Sequence, residues 1–382
     1  MVAEVVIIGA VRTAVGRRKG ALSSVPANDL LGVVQRAVVT SGGVSPDAVE
    51  QVIGGCVGQV GAQSGNVTRN AWLAAGLPLE VSASTVNVQC GSSQQATTLA
   101  HGLIAGGVVD VAVACGVETM SRIPMGSSVT DPALGMPREG TYAEHYEPTS
   151  QFEGADRIAR RWGIARADTE AFAKQSQDRA ARAWAEGRFD GQIVPIQVAG
   201  TTFARDECMR DTSFDGLAGL RTNLPGPDAV HTAGTSSQIA DGAAALLIAS
   251  ASRADDLGLR PRARIIESVL VGSDPELMLT GPMPATRRLL ERSGLRLDDI
   301  DVFEINEAFA SVVLAWAKEV GADLAKVNPN GGAIALGHPL GGTGCILLTK
   351  ALFELERTGG RYALVSMCCG GGVGTGTLIE RI

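Results

Sequence analysis

Apolar residues along the chain follow two spacings, which predict alternating strands and helices. Continuous apolar runs at residues 5–8, 111–116 and 362–368 are typical of buried strands. Positions 96, 99, 100, 103 and 104 are apolar at intervals of three and four, and positions 345, 348, 352 and 355 repeat the pattern more narrowly. Glycine pairs follow both stretches, as they often do at helix ends. The pattern predicts an α/β protein.

The same order of elements occurs near both ends of the chain. A predicted helix, a glycine loop, an acidic turn and a strand follow one another at residues 30–54 and again at 286–305. A second matched pair starts with helices opened by Cys90 and Gly341, each followed by an apolar strand that ends in a cysteine or glycine turn. Two matched pairs in one order indicate a duplicated α/β unit, although any alternating chain can look partly self-similar.

A region of different composition separates the two halves. Residues 127–148 are rich in proline, glycine, serine and charge and predict a loop, while residues 152–186 predict charged helix and 192–198 a short strand. Insertions of this size commonly carry binding determinants. We therefore divide the chain into an N-terminal half (1–119 plus 238–261), an inserted loop domain (120–237) and a C-terminal half (262–382).

Composition narrows the class of protein. The chain of 382 residues is 45% hydrophobic and carries 48 glycines, and its net charge of −7 argues against a nucleic-acid or membrane-surface binder. Seven cysteines without a C-x-x-C pair and only four histidines argue against a disulfide framework and a metal site. The N-terminus lacks the order of a signal peptide, and no apolar run reaches the roughly 20 residues that span a bilayer. We expect a cytoplasmic protein.

Cys90 lies between a predicted strand and a predicted helix, followed by small residues. The positive end of the helix dipole is expected to lower the thiol pKa, and backbone N–H groups of the turn can bind an oxyanion. A lone cysteine with apolar neighbours is more often an inert buried thiol. Here the strand–Cys–Gly–Ser–helix context favours a nucleophile.

Two further glycine-bracketed turns complete the candidate chemistry. His338, between a glycine and a proline, can take a thiol proton. Cys368 ends a strand before three glycines, so it can exchange a proton with a carbon acid, and the Gly370 N–H can bind an oxyanion. Because side chains alternate along a strand, only one of Cys368 and Cys369 should face the site. A nucleophile, a base and a second thiol indicate thioester chemistry.

Asn306 lies in the segment NEAFA after a predicted strand. Its carboxamide could fix a water molecule or polarise a carbonyl. The same residues also form a common helix N-cap pattern.

The chain resembles the thiolase family along its whole length. The resemblance rests on VNVQCGSS around Cys90, NEAFA around Asn306, GGAIALGHPLGGTG around His338 and CCGGGVG from Cys368, with ADGAAA and TGPMPA in addition. It implies a duplicated five-layer αβαβα core with a loop domain that carries coenzyme A, acyl and oligomer contacts. It also implies dimers that often pair into tetramers through the loop domain.

The resemblance assigns roles to the motif residues. It implies that Cys90 is the nucleophile, His338 the activating base and Cys368 the second acid/base. Asn306 would hold a water that forms one oxyanion hole with His338, and the N–H groups of Cys90 and Gly370 would form the other.

The substrates follow from the same resemblance. Coenzyme A would contact Arg210 and Ser237, and the acyl group would contact Phe152 and Phe309. Acyl-CoA and coenzyme A are then substrates, with no permanently bound cofactor.

Three segments depart from the family's usual pattern. Ser93 occupies a position that is usually glycine, the pair Gln151 and Phe152 stands where many members have Met-Gly, and residues 234–238 read GTSSQ instead of GNASG. None of the three removes a catalytic group. The second, at Gln151 and Phe152, changes the residues expected to line the acyl pocket. The segment VNVQCGSSQQA resembles the corresponding segment of actinobacterial thiolases that shorten steroid side-chain thioesters.

The expected activity is cleavage of a 3-oxoacyl-CoA by coenzyme A, giving acetyl- or propionyl-CoA and a shortened acyl-CoA, with the Claisen condensation as its reverse. One alternative is a decarboxylating ketoacyl synthase, which would need a second active-site histidine. Another is a thiolase-like protein that binds acyl-CoA or lipid without catalysis, which should have lost Cys90, His338 or Cys368.

Overall fold

Strands and helices alternate in both halves of the computed structural model, which describes residues 3–382. The strands are β1 (Val5–Thr13), β2 (Gly16–Arg17), β3 (Gln51–Gly55), β4 (Ser82–Val86), β5 (Val111–Thr119), β6 (Ile193–Val194), β7 (Ile196–Val198), β8 (Thr201–Phe203), β9 (Ala240–Ser250), β10 (Ala263–Gly272), β11 (Val302–Ile305), β12 (Tyr362–Cys369) and β13 (Val373–Arg381). The helices are α1 (Ala27–Ser41), α2 (Val67–Ala74), α3 (Ser92–Ala105), α4 (Tyr142–His145), α5 (Gln151–Arg161), α6 (Arg166–Ala185), α7 (Phe214–Ala218), α8 (Ala251–Asp256), α9 (Pro282–Ser293), α10 (Ala310–Val320), α11 (Ala333–Leu336) and α12 (Thr343–Thr358).

The two halves repeat one strand order. In the N-terminal half the order is β4-β3-β5-β9-β1, with β4, β3 and β5 parallel and each later neighbour antiparallel. In the C-terminal half β11-β12-β13-β10 has the same directions. Val327 pairs in parallel with Phe303 of β11 through a single bridge, in the place that β4 takes beside β3. The duplication indicated by the sequence is therefore present in the topology.

Helices and sheets stack in five layers, as expected. Helices α1 and α2 cover the outer face of the N-terminal sheet, and α9 and α10 cover the C-terminal sheet. Helices α3 and α12 pack on each other between the two sheets. At one edge the sheets join, because β1 pairs antiparallel with β10 and places Val6 opposite Arg264. The central helices begin where the chain leaves the Cys90 and His338 turns.

The inserted region differs in detail from the sequence prediction. The predicted helix at 152–186 is two helices, α5 and α6, because Gly163 between them has a positive φ of 58°. The predicted strand at 192–198 is divided by Pro195, which has no N–H to donate, into β6 and β7. On α3, Leu99 belongs to the predicted core stripe but is 39% exposed in the single chain.

Within residues 3–382, no helix is long and apolar enough to cross a membrane, and no group of three or more His, Cys, Asp or Glu side chains is arranged to hold a metal ion. All seven cysteines are buried free thiols.

Candidate active site

A sharp turn presents Cys90 just before α3. Gln89 has a left-handed φ of 47°, and Gly91 is the N-cap of the helix, so Cys90 lies immediately outside the first helical turn. The Gly91 N–H closes the turn on the Val88 carbonyl at 3.0 Å. A Cβ on Gly91 would lie 2.6 Å from the Sγ of Cys369, so this position requires glycine. A backbone conformation that non-glycine residues rarely adopt thus places the thiol.

Burial governs the ionisation of Cys90. It raises the thiol pKa to about 11, although the backbone N–H groups of Cys90 and Gly370 favour thiolate, and the charge of Glu118 raises the pKa further. The expectation that the helix dipole lowers this pKa is therefore wrong for the free protein, because desolvation of a thiolate outweighs a partial charge at the helix end. Cys90 is a thiol at neutral pH and needs a base.

His338 has the tautomer and protonation state of a base. Burial lowers its pKa to about 4, so the imidazole is neutral at pH 7. The Thr343 hydroxyl donates to the Pro339 carbonyl at 2.9 Å and therefore accepts from His338 Nδ1–H at 2.7 Å. This places the lone pair on Nε2, which accepts a 3.3 Å hydrogen bond from the Asn306 amide. A second contact thus fixes which nitrogen can take a proton.

Asn306 follows the last residue of β11, and its N–H donates to the Ser366 carbonyl at 3.1 Å. The alternative interpretation as a helix N-cap is wrong, because α10 begins four residues later with Phe309 as its N-cap. The Asn306 Oδ1 is buried and receives no hydrogen bond from residues 3–382. Its amide is therefore fixed on one side and free to accept on the other.

Cys368 and Cys369, the last two residues of β12, point to different surroundings. Cys368 is fully buried in the apolar cluster that contains Phe309 and Leu279. Cys369 packs under Gly91. Burial raises the pKa of both thiols, and negative charge on Cys90 adds to both effects, which means that both lie near the nucleophile. Of the two thiols, only Cys368 belongs to a cluster whose members, Phe309 and Leu279, also line the cavity that contains Cys90.

A cavity of about 620 Å³ brings most of the predicted side chains together. Its wall includes Cys90, His338, Phe152, Phe309, Arg210 and Ser237. It also includes residues that the sequence analysis did not single out, among them Met120, Met125, Leu279, Asn223, Arg17 and Arg18. Gln151 lies in this wall as well. Asn306, Cys368 and Gly370 are not among the residues that line this cavity.

One side of the cavity has an aromatic wall. Phe152 and Phe309 meet edge to face with ring centroids 5.6 Å apart, and His231 also packs on Phe309, with ring centroids 5.2 Å apart. His231 Nε2 lies 2.8 Å from the Ser311 hydroxyl, and burial lowers its pKa to about 4. In the sequence His231 lies in a loop-like stretch without any periodic signal, so only the structure connects it to Phe309.

The two predicted coenzyme A contacts, Arg210 and Ser237, are each held by a hydrogen bond to another residue. Arg210 Nη2 donates to Gln238 Oε1 at 3.0 Å, and Gln238 Nε2 donates to the Cys208 carbonyl at 2.7 Å. The Ser237 N–H donates to the Ala308 carbonyl at 2.9 Å. Gln238, the last residue of the GTSSQ segment, therefore connects Arg210 to the backbone at Cys208.

Ser93, the other departure near the nucleophile, also has a structural role. Its hydroxyl accepts the Cys345 N–H at 3.0 Å, which satisfies one of the free donors in the first turn of α12. Thr343 and Glu118 were missed as site residues. Thr343 stands inside the histidine motif, five residues after His338, and Glu118 is a charged residue that ends an apolar run; those two patterns were the available signals.

Comparisons with known proteins identify the family of the chain. The models of the thiolase N-terminal and C-terminal domains match residues 5–252 and 259–381. A steroid 3-ketoacyl-CoA thiolase of Mycobacterium tuberculosis is 47% identical over 99% of this chain and 94% of the relative, and a beta-ketoadipyl-CoA thiolase of Pseudomonas putida is 43% identical over 99% of this chain and all of the relative.

Solved structures give the same result. The crystal structure of the Bacillus anthracis acetyl-CoA acetyltransferase has a TM-score of 0.92 at 37% identity, covering 100% of this chain and 99% of that one. Human mitochondrial 3-ketoacyl-CoA thiolase has a TM-score of 0.91 at 34% identity, covering 99% of both chains. Two family models that together span the chain, full-length relatives and the five-layer fold agree: the chain belongs to the thiolase family.

Proposed function

We propose that this protein cleaves 3-oxoacyl-CoA with coenzyme A, and that the same site runs the reverse Claisen condensation. The observation that carries the proposal is the convergence on one cavity of the Cys90 thiol and the neutral imidazole of His338. The Gly370 N–H favours the Cys90 thiolate and so lowers the thiol pKa. Among the histidines of the described chain, only His338 lines this cavity. This favours a thiolase over a synthase that uses two histidines.

The first half-reaction forms an acyl-enzyme. His338 Nε2 takes the Cys90 proton, and the thiolate adds to the ketone carbon of the substrate. The oxyanion that forms is stabilised by N–H donors in a buried site, where such bonds are strong. The bond between the ketone carbon and the adjacent carbon then breaks, which leaves the acyl group on Cys90 and an acetyl-CoA or propionyl-CoA enolate.

The second thiol completes the reaction. Cys368 gives its proton to the enolate carbon, and the released thioester departs. The Cys368 thiolate then takes the proton of incoming coenzyme A, whose sulfur attacks the acyl thioester and displaces Cys90. The displaced Cys90 thiolate takes its proton back from His338, which restores the free enzyme. The buried Oδ1 of Asn306 can accept from a water that, with His338, stabilises the enolate oxygen.

Substrate contacts divide between a charged and an apolar part of the cavity. Arg210 and Ser237 would contact coenzyme A, and the exposed guanidinium groups of Arg17 and Arg18 add positive charge to the same wall, which suits an acidic cofactor. Phe152, Phe309 and the neighbouring methionines would contact an acyl group larger than acetyl. The relatives' names make a steroid-derived or another bulky acyl group the leading candidate.

Steady-state kinetics test the proposal. We expect thiolysis of acetoacetyl-CoA, a long linear 3-oxoacyl-CoA and a steroid 3-oxoacyl-CoA, with kcat/KM for one of the two larger substrates at least about 10-fold above acetoacetyl-CoA. The absence of thiolysis on all three would contradict the function. Preference for acetoacetyl-CoA would contradict the assignment of the aromatic wall to a large acyl group.

We further propose a cytoplasmic homo-oligomer, dimer or tetramer, with the domain division 1–119 plus 238–261, 120–237 and 262–382. Two features of the single chain support an oligomer. Strand β4 is an edge strand, whose free hydrogen-bonding groups can pair with a second copy. Leu99 on α3 is apolar and 39% exposed, and burying it against a second copy would be favourable.

A further inference from the structure

Glu118, near the end of β5, is a buried carboxylate surrounded by N–H groups. It is 2% exposed. Its Oε2 accepts from the backbone N–H groups of Val57 at 3.0 Å and Gly341 at 2.9 Å. Its Oε1 accepts from the Gly58 N–H at 3.0 Å and the Gln63 amide at 2.7 Å. The Cys56 Sγ, 3.9 Å from Oε1, is a fifth and weaker donor. No Lys, Arg or His in residues 3–382 forms an ion pair with Glu118 within 4 Å, so these hydrogen bonds hold the group.

The donor set favours an ionised Glu118. A protonated carboxyl group has a proton to donate and needs an acceptor, whereas all its partners are donors: four N–H groups and the Cys56 thiol. Burial raises the pKa of Glu118, and the four hydrogen bonds oppose this effect. Bonds from N–H groups to a carboxylate are stronger than those to a neutral acceptor, which adds to the rigidity of the contact.

These bonds connect the two halves at the catalytic turns. Val57 and Gly58 follow β3 in the N-terminal half, while Gly341 lies three residues after His338 in the C-terminal half. The contact is close, because a Cβ on Gly341 would lie 2.6 Å from the Val117 carbonyl oxygen. Glu118 thus connects the turn that carries His338 to the half that carries Cys90 through hydrogen bonds.

We propose that Glu118 is a positioning residue for the reaction, which fixes the His338 turn against the N-terminal half so that the imidazole is held at the cavity that Cys90 also lines. This inference rests on the proposed function. Glu118 has a second effect that can be measured separately: its charge raises the pKa of the Cys90 thiol. Positioning and charge can therefore be separated by two substitutions.

The variants Glu118→Gln and Glu118→Asp separate the two effects. Gln removes the charge and replaces one acceptor with an NH₂ group that would face N–H donors, while Asp keeps the charge but is one methylene too short to reach all four donors. We expect kcat for thiolysis to fall roughly 10- to 100-fold in both, as for a catalytic group misplaced by about 1 Å, with KM for the acyl-CoA within about threefold. The pH midpoint of Cys90 alkylation should move down in Glu118→Gln and stay in place in Glu118→Asp.

Glu307→Gln is the matched control. Glu307 is equally buried and accepts the Ile334 N–H at 3.1 Å and the Ser176 hydroxyl at 2.6 Å, but its charge does not act on Cys90. We expect its alkylation midpoint to match the wild type. An unchanged midpoint in Glu118→Gln, or an unchanged kcat in Glu118→Asp, would overturn the inference; should Glu118→Gln fail to fold, the kcat of Glu118→Asp decides it. Absence of thiolysis in the wild type would instead contradict the proposed function, and the alkylation midpoints would still report on Glu118.

Discussion

At the scale of single residues, burial determines the ionisation of the site. The Cys90 pKa rises to about 11 and the His338 pKa falls to about 4, so both groups are neutral in the free protein. A neutral thiol and a neutral imidazole require less stabilisation by the buried surroundings than an ion pair does. The proton therefore moves only when the thiol attacks, and the oxyanion donors stabilise the charge that then appears.

Residue chemistry was predictable where a motif carried it and not where tertiary contacts create it. Cys90, His338 and Cys368 were identifiable because glycine turns bracket these reactive side chains, and Asn306 because it follows a strand in the segment NEAFA. The lowered pKa of His231 could not be predicted, because Phe309 and Ser311, which bury it, lie about 80 residues away in the sequence. Similarly, no local pattern shows that burial outweighs the helix dipole.

His231 gives a prediction for stability against pH. Its pKa in the folded protein, about 4, lies below the ordinary value of 6.5, so the unfolded chain binds the proton more readily and stability is lost as pH falls from 6.5 towards 4. At pH 5 the loss from this residue is about 2 kcal/mol. The Tm from thermal unfolding should be lower at pH 5 than at pH 7 in both the wild type and His231→Val. This decrease should be about 2 °C smaller in His231→Val than in the wild type.

His145→Val is the control for that measurement, because His145 is an exposed histidine on α4. Its Tm decrease should equal that of the wild type. A decrease in His231→Val as large as in the wild type would show that His231 does not titrate as its burial requires.

At the scale of elements, the sequence predicted the repeated order of helices and strands but not how completely each copy forms. The fifth strand of the C-terminal half is reduced to the single bridge between Val327 and Phe303, because the chain there turns at Asn328, which has a left-handed φ of 46°. The inserted region was identified from composition. Its helix break at Gly163 was not, since one glycine in a charged stretch is a weak stop signal.

The start of α5 provides the second prediction, on acyl preference. Phe152→Gly removes the ring that meets Phe309 edge to face and opens the acyl side of the cavity. We expect the ratio of kcat/KM between long and short 3-oxoacyl-CoA substrates to change more than about 10-fold, equivalent to about 1.4 kcal/mol. Phe214→Gly, which truncates an exposed phenylalanine on α7 outside the cavity wall, should leave this ratio unchanged. Equal loss on every substrate in Phe152→Gly would contradict the assignment.

At the scale of the whole molecule, the third prediction concerns assembly. An edge strand and an apolar side chain on the central helix α3 are exposed in the single chain. Light scattering at micromolar concentration should therefore give a mass of at least twice 39.4 kDa. Leu99→Lys, which places a charge on the same surface, should shift the distribution towards the monomer. A wild-type protein that stays monomeric would contradict the proposal.

We propose that one thiol, Cys90, carries the acyl group and that a second, Cys368, moves the proton at carbon. Acylation of Cys90 by a simple acyl-CoA breaks no carbon–carbon bond, so it should depend little on Cys368. Thiolysis needs both thiols, because the enolate must be protonated as it leaves. Cys369, packed under Gly91, should have little influence on either reaction.

Intact-protein mass spectrometry after mixing with acyl-CoA, combined with a thiolysis assay of the same samples, tests this division of roles. Cys90→Ala should lose both the acyl adduct and thiolysis. Cys368→Ala should keep a detectable adduct and lose thiolysis by about 100-fold or more, the scale of a positioned proton donor, while Cys369→Ala should behave like the wild type. Normal thiolysis in Cys368→Ala together with an inactive Cys369→Ala would contradict the assignment of the second thiol, and an acyl adduct in Cys90→Ala would contradict the mechanism itself.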